Sequence, residues 1–215
     1  KGLLKSGKEA NNIILTRRKT KSLNESQKAG FQITDDNILA VKKSKIIIIA
    51  VGPSQLLPLL INISSHFNKN HLIISIVSGV EIEEIQKIVG TKISIIRAMP
   101  NTAADLCESM TCLSTISGFE KGLKTAKSLF EKIGKTLIID EDQMASATAL
   151  GACGVAFFLR AIRAASQGGI EIGFHSDEAF TIAAQTARGA ATLLLDNDAH
   201  PEAEIHSHIL DVLLS

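Results

Sequence analysis

Two unbroken apolar runs, Ile46-Ile47-Ile48-Ile49 and Ile73-Ile74-Ser75-Ile76-Val77, constrain this chain more than any other feature of it. A strand with one wet face alternates apolar and polar residues. A continuous apolar run of this length belongs to a strand covered on both faces, as in a parallel sheet flanked by helices. Further β-branched runs occur at Asn12–Thr16, Ile93–Ala98 and Thr136–Asp140, with a weaker one at Cys112–Ile116. Helical segments are predicted between them at Ser22–Ala29, Asp36–Lys42, Pro53–Phe67, Glu81–Val89 and Glu120–Ile133. Pro53 suits a first helical turn, whereas Pro58 implies a kink or a later start. Strands alternating with helices in this way predict a doubly wound α/β domain with a parallel sheet over residues 1–140.

Beyond Asp140 the strand signal stops, and residues 141–215 read as an all-α domain. Met144–Ile172 is helical and rich in Ala, Gly and Phe; a second helix, Ser176–Leu195, opens with Ser176 as a candidate N-cap before Asp177 and Glu178. Ala149, Ala152, Cys153 and Ala156 recur at helical spacing and permit close approach of another helix. So little surface charge predicts burial, and a small domain has little with which to bury such a helix alone. The expectation is a homodimer, or a higher oligomer built from dimers. With 23 Lys+Arg against 22 Asp+Glu, charge gives no reason to expect nucleic acid or an anionic membrane as partner. The stretch Gln143–Leu159 falls short of a bilayer span. Three cysteines without metal-ligand spacing, and no leader pattern in Lys1-Gly2-Leu3-Leu4-Lys5, predict a cytoplasmic protein without a metal.

In open α/β sheets, ligands lie beyond the carboxyl ends of the strands. Four strand ends carry unusual turns: Thr16-Arg17-Arg18-Lys19, Ala50-Val51-Gly52-Pro53, Val77-Ser78-Gly79-Val80 and Ala98-Met99-Pro100-Asn101-Thr102. Parallel strands would bring all four to one edge, with Gly52 and Gly79 admitting a ligand close to the backbone. Arg17 and Arg18, with no acidic residue in their turn, suit a 2′-phosphate and hence NADP. The Gly-rich turn G-x-G-x-x-G that should follow a first strand does not occur in these 215 residues.

Arg97-Ala98-Met99-Pro100-Asn101-Thr102, in order with Ala50–Pro53, Ser78-Gly79-Val80 and Ala149–Phe157, resembles the pyrroline-5-carboxylate reductase family. The resemblance runs from the N-terminus to about Ile205. It implies a Rossmann-like NAD(P)-binding domain, a helical dimerisation domain, and reduction of a cyclic imine to proline with NADPH preferred over NADH. By position it implies that Ala50, Val51, Gly52 and Pro53 form one cofactor turn and Ile76, Val77, Ser78 and Gly79 the next. It places Asn37 near the adenosine half, Arg17 (with Arg18 beside it) at the 2′-phosphate, and Met99, Pro100 and Asn101 near the nicotinamide. Glu141 matches an acidic position near the substrate pocket, so Asn101 and Glu141 are the candidate catalytic residues. Gly52 stands where the family has lysine, and Gly151-Ala152-Cys153-Gly154-Val155-Ala156 where it has Ser-Gly-Ser-Gly-Pro-Ala. A substrate-holding Ser/Thr-Pro-Gly-Gly-x-Thr loop does not follow Ile205. The expectation is therefore that residues 1–215 alone do not turn over, and that a sheet edge is left unpaired between the strands near Asn12 and Lys45.

Two further readings stay open: a non-catalytic remnant that only dimerises, and a related hydroxy-acid dehydrogenase. The latter should show a lysine in Met144–Ile172, which has none. His206, His208 and Asp211 make a weak metal constellation, better read as an irregular C-terminus. Cys153 is expected to be a small buried residue rather than a nucleophile. Arg160 and Arg163 are expected in surface or interface ion pairs.

Overall fold

The computed structural model describes residues 1–196 and 200–214, with side chains described as far as Ser207. In chain order the helices are α1 (Gly2–Lys5), α2 (Asn24–Lys28), α3 (Asn37–Lys43), α4 (Pro53–Ile63), α5 (Ile82–Val89), α6 (Glu120–Phe130), α7 (Met144–Ala147), α8 (Gly154–Glu171), α9 (Ser176–Asp196) and α10 (Pro201–Leu214). The strands are β1 (Ile14–Thr16), β2 (Gln32–Thr34), β3 (Ile46–Ile49), β4 (Leu72–Ser75), β5 (Ser94–Met99), β6 (Ser109–Ser114) and β7 (Gly134–Ile138). The chain divides into two compact units, Lys1–Val155 and Ala156–Ser215.

In the first unit, β3 to β7 form a five-stranded sheet in sequence order. The second apolar run does what its pattern requires, whereas Ile46 and Ile48 of the first are exposed at the sheet edge. Ile73 and Ile95 face one side, where Leu56 and Leu60 of α4 and Ile82 and Ile85 of α5 cover them. Leu72, Ile74 and Ile96 face the other, against Ala126 and Phe130 of α6. Both faces of β4 are therefore dry, and all four of its residues are buried. α4 runs through Pro58 rather than starting near it.

The sheet is not wholly parallel, as the sequence pattern suggested. β3, β4 and β5 are parallel, but β6 runs antiparallel to β5, and β7 is parallel to β6. The connection Pro100–Glu108 explains the reversal: it holds only a short 3₁₀ turn, Thr102–Leu106. A parallel crossover needs about a dozen residues or more. β2 escapes sequence reading because it offers one apolar residue, Ile33, between polar neighbours; it pairs in parallel with β1. These two strands form a sheet of their own, and α3 packs against both of them and against α4. As expected, β3 is an edge of the larger sheet among the described residues, and its Ile46 and Ile48 are exposed.

The helical region begins within the first unit. A turn at Glu141–Gln143 leads into α7, then a π-helical turn at Thr148–Ala152, then α8. Within the stretch Glu141–Glu171, an 18-residue window has a mean hydropathy of 1.6, long and apolar enough to cross a bilayer by length and composition alone. The expectation drawn from Gln143–Leu159 alone counted too few residues, because α8 runs on past Arg160. Its exposed residues include Arg160 and Arg163, neither of which forms an ion pair among the described residues. Cys153 is exposed, contrary to expectation, because the π turn ends there and points it outward; the buried cysteine is Cys112, on β6.

In the second unit, α8 and α9 form a hairpin with Gly169 against Ala179. Ser176 is the first helical residue of α9 rather than its cap, and the preceding His175 N–H donates to Glu178 Oε2 at 3.0 Å. A groove of about 590 Å³ between these helices is lined by Phe158, Ile162, Ile172, Phe174 and Ile182. α10 is regular where an irregular terminus was expected. The side chains of His208 and Asp211 lie outside the described residues, so the His206–His208–Asp211 constellation is not described.

Candidate functional site

Three of the four expected turns meet. Ile49, Ser75 and Arg97 are in register across β3, β4 and β5, so the chain leaves all three strands at one edge of the sheet. There it enters Ala50–Pro53, Ile76–Val80 and Pro100–Asn101. The fourth turn, with exposed Arg17 and Arg18, follows β1 at the end of the small sheet. The Arg17 N–H donates to the Thr34 carbonyl at 3.3 Å, fixing the backbone there. Asn37 opens α3, whose cap is Asp36, accepting from the Leu39 N–H at 3.0 Å. α3 thus links the arginine turn to the main layer.

Backbone and side chain divide the work at these turns. Val77 and Met99 are buried in the core, so only their main chain faces outward. Ala50, Gly52, Pro53, Ser78 and Gly79 are exposed, while Val51, Ile76 and Pro100 are half-buried. Gly79 has φ +76°, a left-handed conformation that glycine adopts without strain, and a Cβ there would meet nothing within 4 Å. A Cβ on Gly52 would meet only the tip of Gln55, at 3.6 Å. Both glycines therefore leave open space over the strand ends. Gly52 also caps α4, an eleven-residue helix whose first-turn N–H groups favour an anion.

Asn101 is committed on three sides. Its N–H donates to Ser109 Oγ at 3.1 Å, its Oδ1 accepts from the Ala103 N–H at 3.0 Å, and its Nδ2 donates to the Gly151 carbonyl at 3.2 Å. The last bond reaches the π turn, where the Cys153 N–H bonds back to the Thr148 carbonyl at 3.0 Å. Beneath the turn, Met99, Cys112 and Met144 form a small core. Burial pushes the Cys112 thiol up from its usual range, toward the inert protonated form.

Glu141 does not stand free. Its Oε1 accepts from Arg97 Nη1 at 2.6 Å and from the Ile82 N–H at 3.2 Å. Arg97 is 5% exposed. Sequence reading quoted this arginine only as part of a motif; the missed signal is a cation inside the buried strand Ser-Ile-Ile-Arg-Ala-Met. Among the described residues no three His, Cys, Asp or Glu side chains group to hold a metal.

Residues 141–209 match the family model for pyrroline-5-carboxylate reductase dimerisation, and residues 1–79 match the one for NADP oxidoreductase, coenzyme F420-dependent. The chain is 47% identical over 218 residues to pyrroline-5-carboxylate reductase 1 of Dictyostelium discoideum, covering 95% of this chain and 40% of that protein. It is 44% identical over 222 residues to pyrroline-5-carboxylate reductase 2 of the same organism, covering 95% of this chain and 74% of that protein. It therefore spans less than half the length of the first and about three quarters of the second. A crystal structure of Plasmodium falciparum pyrroline carboxylate reductase with NADP bound superposes with a TM-score of 0.83 at 21% identity, covering 96% of this chain and 77% of that one. By its identity to, and coverage of, the second Dictyostelium protein, the chain belongs to the pyrroline-5-carboxylate reductase family.

Proposed function

We propose that this chain carries the cofactor turns and dimer-forming helices of a reductase that converts 1-pyrroline-5-carboxylate to L-proline with NADPH, the last step of proline biosynthesis. The observation that carries the reading is the register of β3, β4 and β5, which sets three ligand-facing turns side by side in a chain of this family. The open backbone at Gly52 and Gly79 and the exposed Arg17 and Arg18 fit a dinucleotide bearing an extra phosphate.

In this reading Ala50, Val51, Gly52 and Pro53, with Ile76, Val77, Ser78 and Gly79, line the cofactor through main chain and small side chains. Asn37 faces its adenosine half, and Arg17 and Arg18 hold the 2′-phosphate. Bound NADPH would supply the hydride. A protonated cyclic imine is already electrophilic, so the protein's tasks are to orient it and to exclude water. Met99 and Pro100 form a fixed wall for that purpose. Asn101, with both side-chain atoms engaged, keeps the wall in place, and Glu141 acts through Arg97. The partner is a second copy of the chain, and no nucleic acid or membrane partner is invoked. A cytoplasmic setting accords with three cysteines that are all free.

Fluorescence titration with NADPH and NADH tests the cofactor assignment. Wild type should bind NADPH more tightly. Arg17→Asp should weaken NADPH by roughly ten- to a hundredfold, the equivalent of one charge-assisted phosphate contact, and leave NADH nearly unchanged. Equal loss of both would show that Arg17 only supports its loop.

A further inference from the structure

We infer that the buried Arg97–Glu141 ion pair is a positioning device that holds the turns after β4 and β5 in place and fastens the start of the dimerisation region to them. The inference rests on the proposed function only in taking those turns to hold the cofactor. Arg97 lies on β5, two residues before Met99, with Ser75 and Ser114 as its register neighbours on either side. Glu141 is the first residue matched by the dimerisation model. One carboxylate oxygen receives both the guanidinium, at 2.6 Å, and the N–H of Ile82, at 3.2 Å. Ile82 opens α5, directly after the Ser78-Gly79-Val80 turn, so the carboxylate also sits favourably at that helix's N-terminus.

Asn101, four residues after Arg97, makes a second link, to Gly151, ten residues after Glu141. Its Nδ2 holds the Gly151 carbonyl, so the segment from Glu141 to Gly151 is pinned at both ends to the end of β5. Optimised stability does not account for the pair. Arg97 Nε and Glu141 Oε2 are buried and have no hydrogen-bond partner among the described residues. An ion pair left incompletely satisfied in the interior is commonly matched or bettered in stability by apolar residues of similar volume. What apolar residues do not supply is direction: two donors from different elements converging on one oxygen.

The test compares Arg97→Met, Glu141→Gln and the double variant Arg97→Met/Glu141→Leu in the full chain without ligand. It reads thermal stability together with hydrogen exchange at the amides of Ile82, Asn101 and Ala103. Each single change leaves a buried partner uncompensated and lowers Tm. The double variant should regain wild-type Tm to within about 3 °C. Exchange should nevertheless rise by about tenfold at Ile82, which loses its charge-assisted hydrogen bond, and also at Asn101 and Ala103 as their turn loosens, with the β3 and β4 amides unchanged. Wild-type exchange at the three amides in the double variant would overturn the inference whatever the Tm. Should the double variant fail to fold, Glu141→Gln is judged by the same criterion. NADPH titration of the same variants separates the two claims: loosened turns with unaltered NADPH affinity would retain the positioning role and refute the cofactor assignment.

Discussion

Phe158→Glu should split the proposed dimer. Phe158 lines the groove between α8 and α9 and is 70% exposed in the single chain. Neighbouring large side chains are bare as well, Phe157 at 64%, Ile172 at 78% and Phe180 at 59%. Large apolar side chains exposed in this number on one helical hairpin fit a surface that is covered by a partner. A phenylalanine presents roughly 200 Å², so about 140 Å² of Phe158 is available for burial against a partner. At about 25 cal/mol per Å², that is ~3.5 kcal/mol per copy. A twofold interface uses the same residue twice, so the ceiling is ~7 kcal/mol, or about five orders of magnitude in the dimer dissociation constant, of which only part shows as affinity. Burying the introduced carboxylate adds to the loss. Sedimentation velocity over nanomolar to micromolar concentrations should show wild type as a dimer throughout and the variant as a monomer, with unchanged far-UV circular dichroism. A Phe158→Glu protein that dimerises like wild type, or a wild type that stays monomeric, would refute the reasoning.

Met144, fully buried against Met99 and Cys112, supports the turn that ends in Asn101; Met144→Ala should cost about 2–5 kcal/mol by leaving a cavity. Urea titration checks this, and a loss below about 1 kcal/mol would mean that the small core collapses freely. Glu120 accepts the Gly118 N–H at 2.9 Å, which lowers its carboxyl pKa. A folded-state pKa below the unfolded one stabilises above the unfolded value, and the gain is lost as pH falls through the folded one. Glu120→Gln should therefore melt below wild type near pH 7, with the difference shrinking as pH falls below the usual glutamate range; a pH-independent difference would contradict it. A thiol reagent should label exposed Cys153 first and buried Cys112 only on unfolding; early loss of Cys112 would show that β6 opens readily.

The strands and the helices that cover them were legible because Ile46–Ile49 and Leu72–Ser75 have no polar face to mislead the reading. The reversal of β6 was not: it depends on how short the Pro100–Glu108 connection is, and periodicity carries no direction. The turns at Ala50–Pro53 and Ser78–Gly79 were legible through glycine and proline. The states of Asn101 and Glu141 were not, because their partners, Gly151 and Arg97, lie 50 and 44 residues away. Cys153 misled because a small residue among glycines and alanines reads as interior, and only the π turn at Thr148–Ala152 shows it facing outward.

The most direct test of the proposed reaction is NADPH oxidation with 1-pyrroline-5-carboxylate by the protein expressed from its genomic reading frame. L-Proline should form one-for-one with NADPH consumed, at roughly 1 s⁻¹ or faster. A folded, dimeric protein that binds NADPH yet forms no proline would contradict it.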